Sequence, residues 1–412
     1  MMSRTILHCD MNNFYASVEC FKNPKLKPYP IAVCGDEEER HGIVLAKNYK
    51  AKAYGVTTGE AIWKARQKCP DLVIVPPHYD EYMSFSKAAR EIYEQYTDQV
   101  EPFGMDECWL DCTGSSFIGN GEKIANEIKE RIKFELGLTI SVGVSFNKIF
   151  AKLGSDMKKP DAVTVISKEC FKELIWHLPA SEMLGVGRAT EKKLSSYGIR
   201  TIGDIASWPM DFFTRKFGKC GTDLWRFANG LDESEVITRD TEVPEKTVGH
   251  GITTSQDLEN PAEVWKVMLA LSQDIGHRLY IFNRKATGIA IDIRDDQLFI
   301  KQWQRSIPLA TQSPSCIARE AFSLFCDKYD WKHPIRSVTV RAIGLTSADT
   351  PLQLSVFVDA EIIERREKLD QCIERIRGRF GKDSICNACL MDNPKMPIDH
   401  ECKVIMPTGI PL

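Results

Sequence analysis

Thr5 to Phe21, TILHCDMNNFYASVECF, changes its periodicity part-way along, and that change decides the fold. Thr5 to Asp10 is a short apolar run with the length of a buried strand, and it ends on a carboxylate in a polar cluster. From Phe14 to Phe21 the apolar residues return at helical spacing. Outward from this unit, Ile31 to Cys34 and Gly42 to Ala46 read as short strands, Thr58 to Lys68 as a helix, and Leu72 to Val75 as a strand stopped by Pro76-Pro77. Tyr82 to Tyr96 is spaced as a helix, and Val100 to Cys112 reads as strand, turn and strand around Met105-Asp106-Glu107. An amphipathic helix, Gly121 to Leu136, leads into a strand at Thr139 to Val144 and a helix at Lys148 to Ser155. Strands drawn from such separate stretches imply an α+β domain with an inserted subdomain.

Beyond Lys168 the texture changes to short helices punctuated by glycine, which implies a small all-helical domain ending near Gly230. Residues 232–246 are polar, carry Pro244 and read as a linker. There follow a strand at Val248 to Thr254, a helix at Ala262 to Phe282, strands at Ala286 to Ile293 and Leu298 to Ser306, a helix at Ser315 to Tyr329 and a strand at Val338 to Ile343. That β-α-β-β-α-β order describes one open sheet with two helices on one face. A charged helix, Glu361 to Phe380, precedes a tail whose pattern assigns it no place.

Composition bounds the function without choosing it. The 412 residues exceed one hydrophobic core, so two to four domains are expected. A hydrophobic share of 43% and a charged share of 27% are those of an ordinary globular protein. No run reaches the roughly 18 apolar residues of a membrane helix, which points to a cytoplasmic protein with no membrane partner. The 14 cysteines are scattered rather than framed, so reduced and mostly buried thiols are expected. A net charge of -3 gives no hint of a polyanionic partner, so any such site needs locally segregated charge.

Three carboxylates stand out. Asp10 ends an apolar strand, and Asp106-Glu107 lies between two apolar stretches that read as a hairpin of the same sheet. A strand-end aspartate is commonly just a turn residue. Brought together, however, the three would repel one another unless a divalent metal neutralised them. Two Mg²⁺ ions in such a site can activate a hydroxyl and hold a triphosphate for in-line displacement. A nucleotidyl cyclase-like enzyme, or a DNA-binding accessory protein that has lost catalysis, could share part of this pattern.

The runs HCDMNNFYASVE at His8 to Glu19, FGMDECWLD at Phe103 to Asp111 and SVGVSFNKIFAKLGSDMKKP at Ser141 to Pro160 resemble, in order and separation, the signature blocks of Y-family polymerases of the bacterial polymerase IV type. The similarity extends over nearly the whole chain. It implies a right-hand α+β multidomain fold: palm at 1–10 and 78–167, fingers at 11–77, helix-hairpin-helix thumb at 168–231, linker at 232–246, little finger at 247–346, and a C-terminal tail at 347–412. The implied activity is template-directed, low-fidelity extension of DNA primers past damaged bases by a monomer acting on primer-template DNA and dNTPs. Asp10, Asp106 and Glu107 would hold the two Mg²⁺ ions, assisted by the Met11 carbonyl. The dNTP would meet Asn13, Phe14, Tyr15, Tyr49, Lys52 and Lys159.

Among these, Tyr15 falls where the family places a steric gate, a ring packed so that no 2′-hydroxyl fits. An isolated aromatic here would more commonly be core. Tyr49, Lys52 and Lys159 offer a phenol and two ammonium groups to phosphate oxygens, with Lys52 standing where many relatives carry arginine. Lys47 and Lys50 read as a solvated face. Asn12 and Gly104 also depart from the pattern, where aspartate and serine are usual.

Leu184-Gly185-Val186-Gly187 before Arg188 is similar to a helix-hairpin-helix that grips DNA phosphates, although a plain interhelical turn reads alike. In the last domain Arg278, Arg284, Lys285, Arg294, Lys301, Arg305, Arg336 and Arg341 are candidates to gather on the open sheet face, with Arg294 and Arg341 assigned to DNA. Gln353-Leu354-Ser355-Val356-Phe357 resembles the peptide that docks bacterial polymerases on the sliding clamp, with Gln353, Leu354 and Phe357 as anchors; an edge strand would look the same. Cys386, Cys389, His400 and Cys402 make four zinc-type ligands, but the His400-x-Cys402 spacing is unusual, the family needs no zinc, and buried fillers are the preferred reading.

Overall fold

The computed structural model describes residues 4–37, 40, 42–238, 241, 244–350, 360–391 and 395–396. The clamp-like peptide 353–357 and the pair His400 and Cys402 lie outside them. The chain divides into two compact units, one carrying the elements from Ile6 to Ala228 and the other those from Thr247 onward.

The first unit begins with β1 (Ile6–Met11) and α1 (Phe14–Lys22). It continues through β2 (Ile31–Cys34), β3 (Val44–Lys47), α2 (Tyr49–Ala53), α3 (Ile62–Lys68) and β4 (Val73–Val75). Next come α4 (Tyr79–Tyr93), β5 (Val100–Pro102), β6 (Glu107–Asp111), α5 (Gly121–Leu136), β7 (Ile140–Ser145), α6 (Lys148–Met157) and β8 (Val163–Ile166). A five-stranded sheet has the order β5-β6-β1-β7-β8, and a separate three-stranded sheet, β3-β2-β4, comes from the stretch between α1 and α4.

β1 is the middle strand of the larger sheet and is buried on both faces. Leu7, Cys9 and Met11 share a core with Leu110, Val142, Ile124 and Tyr82, on the side covered by α4 and α5. Ile6, His8 and Asp10 face the other way, opposite Asp111, Trp109 and Glu107, and Ile6 and Trp109 pack with Ala151 of α6. Helix α6 rests directly on strand backbone. A Cβ added to Gly143 would lie 1.8 Å from the Ala151 carbonyl oxygen, and one added to Gly154 would lie 3.2 Å from the Gly143 Cα.

Short helices follow: α7 (Phe171–Ile175), α8 (Arg188–Ser195), α9 (Ile202–Ser207) and α10 (Met210–Ala228), which breaks at Gly218. The first part of the expected linker is anchored in this same unit. Val236 is buried against Ile6 and Trp109, Ile237 N donates to Glu101 Oε2 (2.9 Å), and Glu101 forms a buried pair with Lys148 (2.6 Å). A buried ion pair is held only where further hydrogen bonds satisfy it, and the Ile237 amide supplies one. The polar composition of residues 232–246 hides this, because one apolar residue among many polar ones, Val236, provides the anchor.

The second unit contains β9 (Thr247–Leu258), α11 (Pro261–Ile281), β10 (Arg284–Asp295), β11 (Ile300–Thr311), α12 (Pro314–Lys328) and β12 (Ile335–Ser347), in the expected β-α-β-β-α-β sequence. The sheet order is β11-β10-β12-β9, and its helical face encloses Ile289, Ile291, Val338, Val340, Val267 and Phe325. A last helix, α13 (Ala360–Phe380), has a place that its charged sequence does not announce. It is joined to this unit through Lys285–Glu367 (3.0 Å), His277–Glu374 (2.6 Å) and Arg377–Gln273 (3.0 Å).

Among the described residues no helix is long and apolar enough to cross a membrane. The thirteen described cysteines are free, but fewer are buried than expected: Cys220, Cys326, Cys372, Cys386 and Cys389 are exposed. Cys386 and Cys389 are therefore not core fillers.

Candidate active site

The register of β1 builds the site. Asp10 pairs directly with Glu107 across the antiparallel ladder, which puts both side chains on the same face. One residue on, Met11 N donates to the Asp106 carbonyl (3.0 Å), so the chain leaving β1 is tied to the turn entering β6. The three acids thus meet at one end of the sheet.

Burial raises Asp10 to about 7, against the lowering effect of Lys159, with Glu107 and Asp106 adding to the rise. Asp106 is raised to about 6, by burial first and by Glu107 second. Burial pushes Glu107 the same way, but a hydrogen bond and charge from His8, then the charge of Lys152, bring it down to about 2. Three acids so placed cannot all be charged without a cation, and lysines supply it here: Lys159 Nζ lies 2.6 Å from Asp10 Oδ2 and Lys152 Nζ 2.5 Å from Glu107 Oε2. Among the described residues no three His, Cys, Asp or Glu side chains stand ready as a ligand cage, and Asp10 and Glu107 are each paired with a lysine. Hard carboxylate oxygens gathered at one sheet end could hold Mg²⁺ once those pairs open.

The substrate candidates gather around the same end. Asn13 has left-handed backbone (φ 49) and starts α1, whose first turn carries the buried Phe14 and the half-buried Tyr15. The Tyr15 ring stacks on Tyr82 (centroids 4.3 Å, 12° between planes), and its hydroxyl donates to Met105 Sδ at 3.5 Å. Burial, then Tyr79 and Asp106, raises the Tyr15 phenol to about 12, so it stays a neutral ring. Tyr49 opens α2 and lies in the field of both Lys159 and Asp10, while Lys52 is exposed with its Nζ 5.7 Å from the Tyr49 ring centre.

Two of the three departures have local reasons. The Asn12 amide donates to Ser141 Oγ (2.9 Å) and its oxygen accepts from Asp161 N (2.9 Å), a double role no ionised aspartate fills. Gly104 has φ +89, a conformation in which serine would be strained.

Gly185 (φ +92) and Gly187 stand before α8, no atom lies within 4 Å of a Cβ built on Gly187, and Arg188 is exposed. The expected gathering of basic residues in the second unit is only partly realised. Arg294 and Arg341 lie opposite Ser337 and Ala290, on the face away from the Ile289 and Val340 core, and Arg341 pairs with Asp292 (2.9 Å). Lys301 and Arg305 lie opposite Ile293 and Ile289 instead, paired with Asp330 and Asp327. Arg278 and Lys285 bind Asp274 and Glu367. Strand alternation decides this, and counting charges along the sequence does not reveal it.

Three neighbours lie inside the quoted runs without a role assigned to them there. His8 is fully buried, with Nδ1 2.9 Å from Ser155 Oγ and Nε2 3.3 Å from Glu107 Oε2. Lys152 and Asp156 come from α6. Their signal in the sequence is only the four-residue spacing that puts them on one face of α6, with Lys159 just past the helix end. A cavity of about 360 Å³ lies elsewhere, between α11 and the C-terminal segment, and contains none of these acids.

The impB/mucB/samB family matches residues 9–156, its C-terminal domain matches 245–356, and the family described as DNA polymerase-iota, thumb domain, matches 181–232. A DNA polymerase IV of Acetivibrio thermocellus is 50% identical over 95% of this chain and 98% of its own length. The chain belongs to the Y-family of DNA polymerases. This polymerase is also 35% identical to DNA polymerase IV 1 of Bacillus subtilis, over 92% of this chain and 91% of that protein. A solved Y-family DNA polymerase chimera, 24% identical, shares the fold with a TM-score of 0.73 over 83% of this chain and 99% of its own. The polymerase is a DNA-directed DNA polymerase acting on DNA and dNTPs, which removes the cyclase-like alternative.

Proposed function

We propose that this polymerase extends primers past damaged template bases, with low fidelity, by nucleotidyl transfer assisted by two Mg²⁺ ions. The observation that carries the catalytic part is the register setting Asp10 opposite Glu107 while Met11 N holds the Asp106 carbonyl. Asp10, Asp106, Glu107 and the Met11 carbonyl hold the metals. Bound there, the ions would acidify the primer 3′-hydroxyl and brace the triphosphate for in-line displacement. Lys159, Tyr49 and Lys52 bind the phosphates, Asn13 and Phe14 shape the nucleotide pocket, and the Tyr15 ring closes the space beside C2′. Gly185, Gly187, Arg188, Arg294 and Arg341 grip DNA without reading sequence.

The domain bounds are proposed as palm 1–10 and 78–167, fingers 11–77, thumb 168–231, little finger 247–346 and tail 347–412, with residues 232–246 connecting the last two folded parts. The protein acts as a cytoplasmic monomer. Kinship with enzymes called DNA polymerase IV supports low fidelity and bypass.

Primer extension on intact and abasic templates tests the reading. Product past the lesion with Mg²⁺, and none with EDTA, is expected. A protein that binds primer-template but extends neither template with Mg²⁺ would be an accessory factor instead. The clamp peptide is proposed from its sequence. Deleting residues 353–357 is expected to remove stimulation by the sliding clamp and leave basal extension intact; stimulation that survives the deletion would refute docking there.

A further inference from the structure

Two lysines and a fourth carboxylate connect the acids assigned to metal. Lys152 Nζ lies 2.5 Å from Glu107 Oε2 and 3.7 Å from Asp156 Oδ2. Lys159 Nζ lies 2.6 Å from Asp10 Oδ2 and 2.9 Å from Asp156 Oδ1. Charges therefore alternate in one series, Glu107, Lys152, Asp156, Lys159, Asp10, with Asp156 in the middle giving one oxygen to each lysine. Helix α6 sets Lys152 one turn before Asp156, and Lys159 follows three residues later, just past the helix end.

The series has a consequence for cation binding. An ammonium group and a divalent cation on the same carboxylate repel strongly at such short range. Cations claiming Glu107 and Asp10 must therefore displace Lys152 and Lys159. Lys152 is enclosed, with only 14% of its side chain exposed, and an enclosed ammonium stripped of its acid is costly. Asp156 is already within reach of both lysines and is the most exposed member of the series, at 38%.

We propose that Asp156 is a positioning residue that takes over Lys152 and Lys159 when divalent cations claim Glu107 and Asp10, so that the metal sites open without stranding either ammonium group. Asp156 does not touch the cation. It leaves Lys159 beside Tyr49, where the triphosphate is proposed to bind. The inference rests on the metal assignment made above.

Mn²⁺ binding to the full-length enzyme, without DNA or nucleotide, is read by electron paramagnetic resonance of the free ion. Asp156→Asn leaves the lysines no other acid, so they hold Glu107 and Asp10 more firmly, and Mn²⁺ should bind about three- to fivefold more weakly. Lys152→Met removes a competitor and should bind Mn²⁺ more tightly by about the same factor. The double variant should return to wild-type affinity or better. Wild-type affinity in Asp156→Asn overturns the proposal. So does a double variant as weak as Asp156→Asn, which would make Asp156 a ligand. Glu107→Gln, measured alongside, reports on the metal assignment itself: unchanged Mn²⁺ binding there sinks that assignment, whereas lost binding with an unaffected Asp156→Asn sinks only the role of Asp156.

Discussion

Primer extension by the Asp106→Ala, Glu107→Ala double variant is expected to fall by on the order of a thousandfold or more at saturating Mg²⁺. Both side chains lie at the end of the sheet, and neither belongs to the hydrophobic cores that hold the fold. Losing them removes two of the three carboxylates that could carry the cations and leaves Asp10 paired with Lys159 alone. The backbone link from Met11 N to the carbonyl of residue 106 needs no side chain and should survive. Circular dichroism and thermal melting should therefore show a folded protein, and DNA binding should persist. Single-turnover extension is the decisive measurement, and a folded double variant working at the wild-type rate would reject the site.

The second large effect is on sugar selection. Tyr15→Ala should reduce discrimination against ribonucleotides by on the order of a hundredfold while deoxynucleotides are still incorporated. Tyr15 can act as a barrier because it is backed: its ring lies flat on fully buried Tyr82, and Tyr82 in turn donates a hydrogen bond to buried Glu19 at 2.5 Å. A ring held from behind cannot retreat when an extra hydroxyl arrives. Alanine leaves that space open. The check is the ratio of kcat/KM for dCTP and CTP opposite template guanine, and a ratio equal to the wild type would defeat the gate.

Much of this was legible in the residues, for reasons that can be named. β1 and its partners are short apolar runs broken by turn residues, and the β-α-β-β-α-β succession of the second unit has long, well-spaced elements. The predicted helix at Thr58 to Lys68 is shorter in the structure, beginning at Ile62, because Gly59 adopts a left-handed turn (φ +84). The carboxylates were visible because Asp10 ends a strand and Asp106-Glu107 interrupts a hairpin. What stayed hidden depends on pairing between distant segments. His8 is one polar residue in an apolar strand until Glu107 is placed opposite Asp10. Lys301 and Arg305 differ from Arg294 and Arg341 only by strand register. The fixing of residues 232–238 depends on Glu101, more than 130 positions earlier.

The bare contact between Gly143 and α6 has a mechanical consequence. Elsewhere side chains cushion a helix against a sheet and can change rotamer to absorb a small displacement; here main chain meets main chain, with hydrogen atoms as the only spacer. Slab and rod should move as one piece, keeping the backbones of helix and strands at constant separation, so that only side chains rearrange while nucleotides enter and pyrophosphate leaves.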